Sequence, residues 1–191
     1  MSQIDPQIWI GNAGNSQDER FQKERGITHI LCCADELHYM PAFTTPSNWH
    51  HLPIVDDAAD SRTEALFIEG ANLLKKWVED GHTVLVHCFA GVSRSVSLVM
   101  AYYIMFKGWS YDIAYSHCKQ RRRHAHPHPD FSMILMRFTD QLPGLPPGLP
   151  PVRHQHLHLY QEPLQVPVQP AQAAAPAPST DESNSESHTV S

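Results

Sequence analysis

His87-Cys88-Phe89-Ala90-Gly91-Val92-Ser93-Arg94-Ser95 joins two stretches of unlike character, and the junction decides the fold. Before it, Thr83-Val84-Leu85-Val86 is a short β-branched run after Gly81 that reads as a buried strand. After it, Ser95-Val-Ser-Leu-Val-Met-Ala-Tyr-Tyr-Ile-Met-Phe106 is long and apolar enough for a buried helix, closed by Gly108. The nine residues are therefore a loop from a strand end to a helix N-terminus. There, unpaired N–H groups and the positive end of the helix dipole collect a tetrahedral anion.

The residue types suit that anion. The backbone N–H groups of Phe89, Ala90, Gly91, Val92 and Ser93, the Cys88 thiol and the Arg94 guanidinium can all face one phosphate. A helix N-terminus favours the thiolate of a cysteine, which makes Cys88 the expected nucleophile. Arg94 offers a planar fork that grips two phosphoryl oxygens, which lysine cannot copy. Gly91 lets the backbone come close, and His87 is expected to hold the loop through side-chain hydrogen bonds. The chemistry implied is phosphate ester hydrolysis through a cysteinyl-phosphate. The plain alternative is a buried structural cysteine in a chance pattern. Against it stand the His before, the Gly within, the Ser after and the strand-then-helix setting.

A leaving alkoxide or phenoxide needs a proton, so a carboxylic acid is expected on a separate loop. Trp49 to Val55 reads as a strand running into Asp56-Asp57-Ala-Ala-Asp60. Residue chemistry alone divides the role between Asp56 and Asp57, with Asp60 behind them. Each also reads as a turn residue or cap before a helix starting near Ser61.

The nine-residue stretch closely resembles the signature of the dual-specificity protein phosphatases, a branch of the cysteine-based protein tyrosine phosphatases, and their small atypical members in particular. Ile8-Trp9-Ile10-Gly11-Asn12 is similar to the family's opening strand, Gly26 to Leu31 to its second, and Leu52-Pro53-Ile54-Val55-Asp56 to the strand delivering the acid. The resemblance covers about residues 4 to 141. It implies Cys88 as nucleophile, Arg94 as phosphate clamp, and Ser95 as the hydroxyl assisting thiolate departure. It also implies Asp56, 32 positions before Cys88, as acid and then base. No metal or other cofactor is implied, and the expected partners are phosphorylated proteins. One departure stands out: Pro127-His128-Pro129-Asp130-Phe131 replaces the family's Pro-Asn-x-x-Phe, whose asparagine ties backbone to the phosphate loop.

The chain has 191 residues, 41% of them hydrophobic, and a net charge of −6, which discourages nonspecific nucleic-acid binding. Four cysteines, two adjacent at Cys32 and Cys33, make no disulfide framework. Met1-Ser-Gln-Ile-Asp-Pro opens neither a signal peptide nor a myristoylation site, and the run from Val96 to Phe106 is too short to span a bilayer. The expectation is a cytoplasmic or nuclear protein without a membrane anchor.

Helix signals alternate with the strands. Ser16 and Glu19 form a capping-box pattern for a helix closed by Gly26. Ser61 and Glu64 repeat it for a helix to about Asp80, with Leu66, Leu73, Leu74, Trp77 and Val78 on its apolar face. Ser110 starts another, and Asp130 caps a last one holding Phe131, Ile134, Leu135 and Phe138. The expected class is α/β, a mixed, mostly parallel central sheet flanked by helices, over residues 1–141. Residues 142–191 hold ten of the sixteen prolines and read as a disordered tail. Pro143-Gly144-Leu145-Pro146 fits a PxxP ligand for an SH3-type partner.

Weaker signals have bland readings. Arg121-Arg122-Arg123 fits a solvated helix C-terminus, with attraction of a second phosphate or an acidic segment as the functional reading. His124, His126 and His128, like His154, His156 and His158, read as loop histidines without a metal. Cys32, Cys33 and Cys118 read as buried small hydrophobes, one of them available as a resolving thiol for an oxidised Cys88. Two other functions compete with a protein phosphatase: a phosphatase of non-protein phosphate esters, and a phosphoprotein-binding module without catalysis. The absence of Lys or Arg between Cys88 and Arg94 argues against highly charged esters, and the presence of Cys88, Arg94, Ser95 and Asp56 argues against a lost activity.

Overall fold

The computed structural model describes residues 1–56 and 60–141. Asp57 and the whole proposed tail lie outside the described residues. Among the described residues five strands form one sheet: β1 (Ser2–Asp5), β2 (Ile8–Gly11), β3 (His29–Cys32), β4 (Trp49–His51) and β5 (Val84–His87), in the order β1-β2-β5-β3-β4. β1 runs antiparallel to β2, and every other pairing is parallel. The sheet is thus mixed and mostly parallel, as the alternation of strand and helix signals implies. The helices are α1 (Ala13–Gln17), α2 (Glu19–Glu24), α3 (Thr63–Glu79), α4 (Arg94–Lys107), α5 (Tyr111–Arg121) and α6 (Pro129–Gln141).

All four residues of β5 are buried, which is why this strand reads as a continuous apolar run rather than an alternating one. Gly11 of β2 and Cys32 of β3 both stand opposite His87. The central strands therefore end level, and the loop after His87 emerges at their carboxyl ends, where open α/β sheets bind ligands.

Helix α4 is buried from Arg94 to Ile104, packed against α3, α5 and α6. Gly108, at φ 66°, ends it in the left-handed conformation that a side chain resists. Ile8, Ile10, Leu31, Val84 and Val86 of the sheet share one core with Phe67 and Leu74 of α3, Val99 and Tyr103 of α4, and Phe131 and Leu135 of α6. Phe67 meets Phe131 edge-on at 5.3 Å between ring centres, joining α3 to α6. At Gly70 the crossing of α3 over α4 is so close that a Cβ would strike the Leu98 and Leu52 side chains.

Several local expectations are corrected. The Ser16–Glu19 box does not form. Asn12 and Asn15 cap α1 reciprocally, Asp18 caps α2 through the Phe21 N–H, and Ser16 lies inside α1 donating to the Ala13 carbonyl. The Ser61–Glu64 box is also absent: α3 begins at Thr63 without a side-chain cap, and Glu64 instead pairs with Arg137 of α6 at 2.6 Å. Asp130 falls in the first turn of α6, behind Pro129 at its start. Leu52 to Asp56 is no strand, because Pro53 lacks an N–H and the Ile54 N–H turns back to the Leu52 carbonyl at 2.8 Å. The opening strand of the chain is β1, which carries a single apolar residue, Ile4, and so has little hydrophobic pattern to read.

Candidate active site

Cys88 follows β5 directly and is 2% exposed. Its Sγ accepts the Gly91 N–H at 3.2 Å and lies 3.4 Å from Ser95 Oγ, in the first turn of α4. The turn between them needs Gly91, whose φ is 69° and where a Cβ would strike the Gly11 carbonyl and the Arg122 guanidinium. Phe89 turns its side chain out to solvent, 62% exposed.

The loop's carbonyls are tied to the surrounding scaffold one after another. Phe89 O accepts from Ala13 N at 3.1 Å, Gly91 O from Arg122 Nε at 2.5 Å, and Val92 O from His126 N at 2.9 Å, with a longer contact of 3.5 Å from Arg122 Nη2 to Ala90 O. In a trans peptide the C=O and the next N–H point in opposite directions. Anchoring these carbonyls turns the N–H groups of Ala90, Gly91, Val92 and Ser93 away from the scaffold, and that of Gly91 reaches the sulfur. The result is an N–H nest at a helix N-terminus, a ready cradle for an anion.

Arg94 is 4% exposed. Its Nη1 and Nη2 grip the Glu36 carboxylate at 2.5 and 2.7 Å, and Nη1 also donates to the Ile54 carbonyl at 3.2 Å. Burial works against its charge, yet Glu36, with Cys88 and Asp56 behind it, raises the pKa. The same hydrogen bonds pull Glu36 below the usual carboxylate range. With the end of the fork held by Glu36, the Nε donor remains without a hydrogen bond: it is buried, and Asp56 Oδ2 stands 3.7 Å from it. A guanidinium N–H left unpaired in this way is a donor free for an anion.

Of the carboxylates singled out, Asp56 is exposed at the mouth of this site. Asp60 is engaged elsewhere. Arg62 holds it with Nη2 at 2.7 Å and its own backbone N–H at 2.9 Å, and Thr63 N donates to its carbonyl. The Arg62 side chain lowers its pKa, so it stays ionised as a turn residue before α3. Asp57 lies outside the described residues.

Other expectations change in detail. His87 is buried and its Nδ1 has no hydrogen-bond partner among the described residues. Burial pushes its pKa down to about 4 and keeps the ring neutral. The Cys88 backbone beside the ring acts against that shift, and the His87 carbonyl accepts Cys33 N at 2.8 Å. His128, at the place of the family's asparagine, ties to the loop by its backbone: its N–H donates to Ser93 Oγ at 3.0 Å. Cys32, Cys33 and Cys118 are buried; burial pushes Cys32 and Cys118 up to about 12 and Cys33 well above its ordinary value. Glu36 escaped the sequence reading, and Arg122 entered it only within the Arg121–Arg123 run, as a solvated helix end or an attractor of a second phosphate or an acidic segment. A lone Glu far from the loop carries no signal, and Arg122 turns inward just past the last residue of α5, in extended backbone that helix periodicity does not reach.

The profile "Dual specificity phosphatase, catalytic domain" matches residues 8–141. Dual specificity protein phosphatase 1B of Arabidopsis thaliana is 31% identical over 144 residues, covering 75% of this chain and 84% of that protein. Dual specificity protein phosphatase 22 of Mus musculus is 31% identical over 138 residues, covering 72% and 73%. Of three other relatives the chain spans less than a fifth of the length. The crystal structure of DUSP15 superposes with a TM-score of 0.64 at 26% identity, over 73% of this chain and 86% of that one. With the sheet, the N–H nest and Cys88 and Arg94 in place, the chain belongs to the dual specificity phosphatase family and carries its catalytic domain.

Proposed function

We propose that this protein hydrolyses phosphoserine, phosphothreonine and phosphotyrosine in protein substrates through a cysteinyl-phosphate. The observation that carries the reading is the Cys88 sulfur facing the Gly91 N–H at 3.2 Å beside the unpaired Nε of Arg94. In the proposed reaction the Cys88 thiolate forms an S–P bond while the ester P–O bond breaks, and the departing oxygen takes a proton from Asp56. Water then attacks phosphorus, Asp56 takes its proton, and the S–P bond breaks with Ser95 donating to the returning sulfur at the position it already holds, 3.4 Å away. Arg94 and the N–H groups of residues 89–93 hold the three equatorial oxygens, tightening as charge spreads over them.

The catalytic unit in this reading is residues 1–141, acting on cytoplasmic or nuclear phosphoproteins, and the Pro143–Pro146 PxxP of the tail offers an SH3-type docking sequence. Among the described residues no helix is long and apolar enough to cross a membrane. Turnover of a generic aryl phosphate by the wild type and its loss in Cys88→Ser test the reaction, and release of phosphate from peptides bearing each phosphorylated residue tests the specificity. An active Cys88→Ser enzyme contradicts the proposal. Loss of a pull-down partner on deleting residues 142–191 is the result expected for the tail; an unchanged set of partners overturns it.

A further inference from the structure

Arg122 follows the last residue of α5 with its side chain turned inward, 5% exposed. Nε donates to Gly91 O at 2.5 Å, Nη2 to Ala90 O at 3.5 Å and Nη1 to Ser2 Oγ at 3.2 Å. All three acceptors are neutral, and among the described residues no carboxylate pairs with it. A guanidinium removed from water without a counter-charge is costly, and the fold keeps this one against the back of the loop that carries Cys88.

The charges at the front of the loop explain what it offsets. Arg94 brings one positive charge, but Glu36 cancels it through two hydrogen bonds and Asp56 stands 3.7 Å from Nε. Arg94 and Glu36 sum to zero before Cys88 ionises or a phosphate dianion arrives. The front of the site alone offers its ligand no net positive charge, and the cation that supplies one stands behind the loop. Burial pulls the pKa of Arg122 down, and the negative group that opposes that pull is Cys88.

We propose that Arg122 is the second cation of the anion site, a positioning residue that turns the Gly91–Val92 peptide through its carbonyl and holds negative charge on Cys88 and on a bound tetrahedral oxyanion. The proposal rests on Cys88 being the nucleophile. The other titratable groups around the pair are Arg94, Cys32 and Cys33 beside Cys88, and the Met1 amino group, with Arg25 behind it, beside Arg122. Burial keeps Cys32 and Cys33 as neutral thiols, so neither competes with Cys88 for this charge.

The test is the rate of alkylation of Cys88 by iodoacetamide as a function of pH, mapped by mass spectrometry, with binding of inorganic tungstate measured alongside. Arg122→Met should move the alkylation profile about one pH unit upward and weaken tungstate about tenfold. Arg122→Lys, which keeps the charge and loses the fork, should recover most of the alkylation shift. Profiles unchanged in Arg122→Met, or equally shifted in both variants, overturn the proposal. A measurement on the unaltered chain stands apart from folding of the variants: the Arg122 Nε–H resonance should move as Cys88 titrates and stay fixed in Cys88→Ser. A resonance indifferent to that thiol contradicts the assignment. Alkylation needs no turnover, so a Cys88→Ser variant that still hydrolysed aryl phosphate would strike the catalytic reading alone.

Discussion

At the scale of single residues, each role predicts its own kinetic signature. Arg94→Lys keeps the charge and loses the planar fork, so kcat/KM for aryl phosphate should fall about 100- to 1,000-fold, with oxyanion binding weakened in parallel. Unchanged binding would mean that the unpaired Nε is not where the phosphate sits. Asp56→Asn should lower kcat/KM for alkyl phosphates about 100-fold or more while sparing kcat/KM for nitrophenyl phosphate, whose leaving group needs no proton in the first step. If Asp57→Asn shows that dependence instead, the acid is its neighbour. Cys88, Gly91, Arg94 and Ser95 were legible because one short stretch holds them, and a loop between strand and helix has few ways to arrange them. Glu36 and Arg122 were not, because their partners lie far away in sequence and nothing local marks a long-range ion pair or an inward-turned side chain.

At the scale of elements, β5 was readable as a β-branched run after Gly81 and α4 as a long apolar run closed by Gly108, while β2 and β3 were legible through their likeness to the family's strands. The caps were not, since several Ser, Asp and Asn residues compete at each helix start and tertiary contacts choose among them. Glu64 shows the choice: its bond to Arg137 in α6 takes it from the capping box that its spacing suggested. The close crossing of α3 and α4 makes Gly70→Ala an informative change. The added methyl meets Leu98 and Leu52, and unfolding free energy should fall by about 1–3 kcal/mol, read from the urea midpoint. An unchanged midpoint would mean the helices separate without cost. Gly91→Ala meets backbone at the Gly11 carbonyl rather than a movable side chain, so it should lose oxyanion binding as well as stability.

At the scale of the whole molecule, the buried neutral His87 couples stability to pH. Burial lowers its pKa from 6.5 to about 4 in the folded chain. Above pH 6.5 neither state is protonated there. As pH falls below 6.5 the unfolded chain gains a proton that the folded one refuses until about pH 4, so stability drops across that window. Between pH 7 and pH 5 this amounts to about 2 kcal/mol, and the loss measured by chemical denaturation should be smaller by about that amount in His87→Asn. Equal losses in the two proteins would mean that the ring titrates freely when folded. A chain ended after Gln141 should keep the turnover and melting temperature of the full protein; a fall in either would place part of the catalytic unit in residues 142–191.

The central claim is covalent, and the direct measurement is rapid-quench mass spectrometry of the full-length protein during turnover of an aryl phosphate. The account predicts one added phosphoryl group on the peptide containing Cys88, more abundant in Asp56→Ala because its hydrolysis is slowed, and absent in Cys88→Ser. Steady turnover with no phosphoryl group on that peptide in any variant would contradict it.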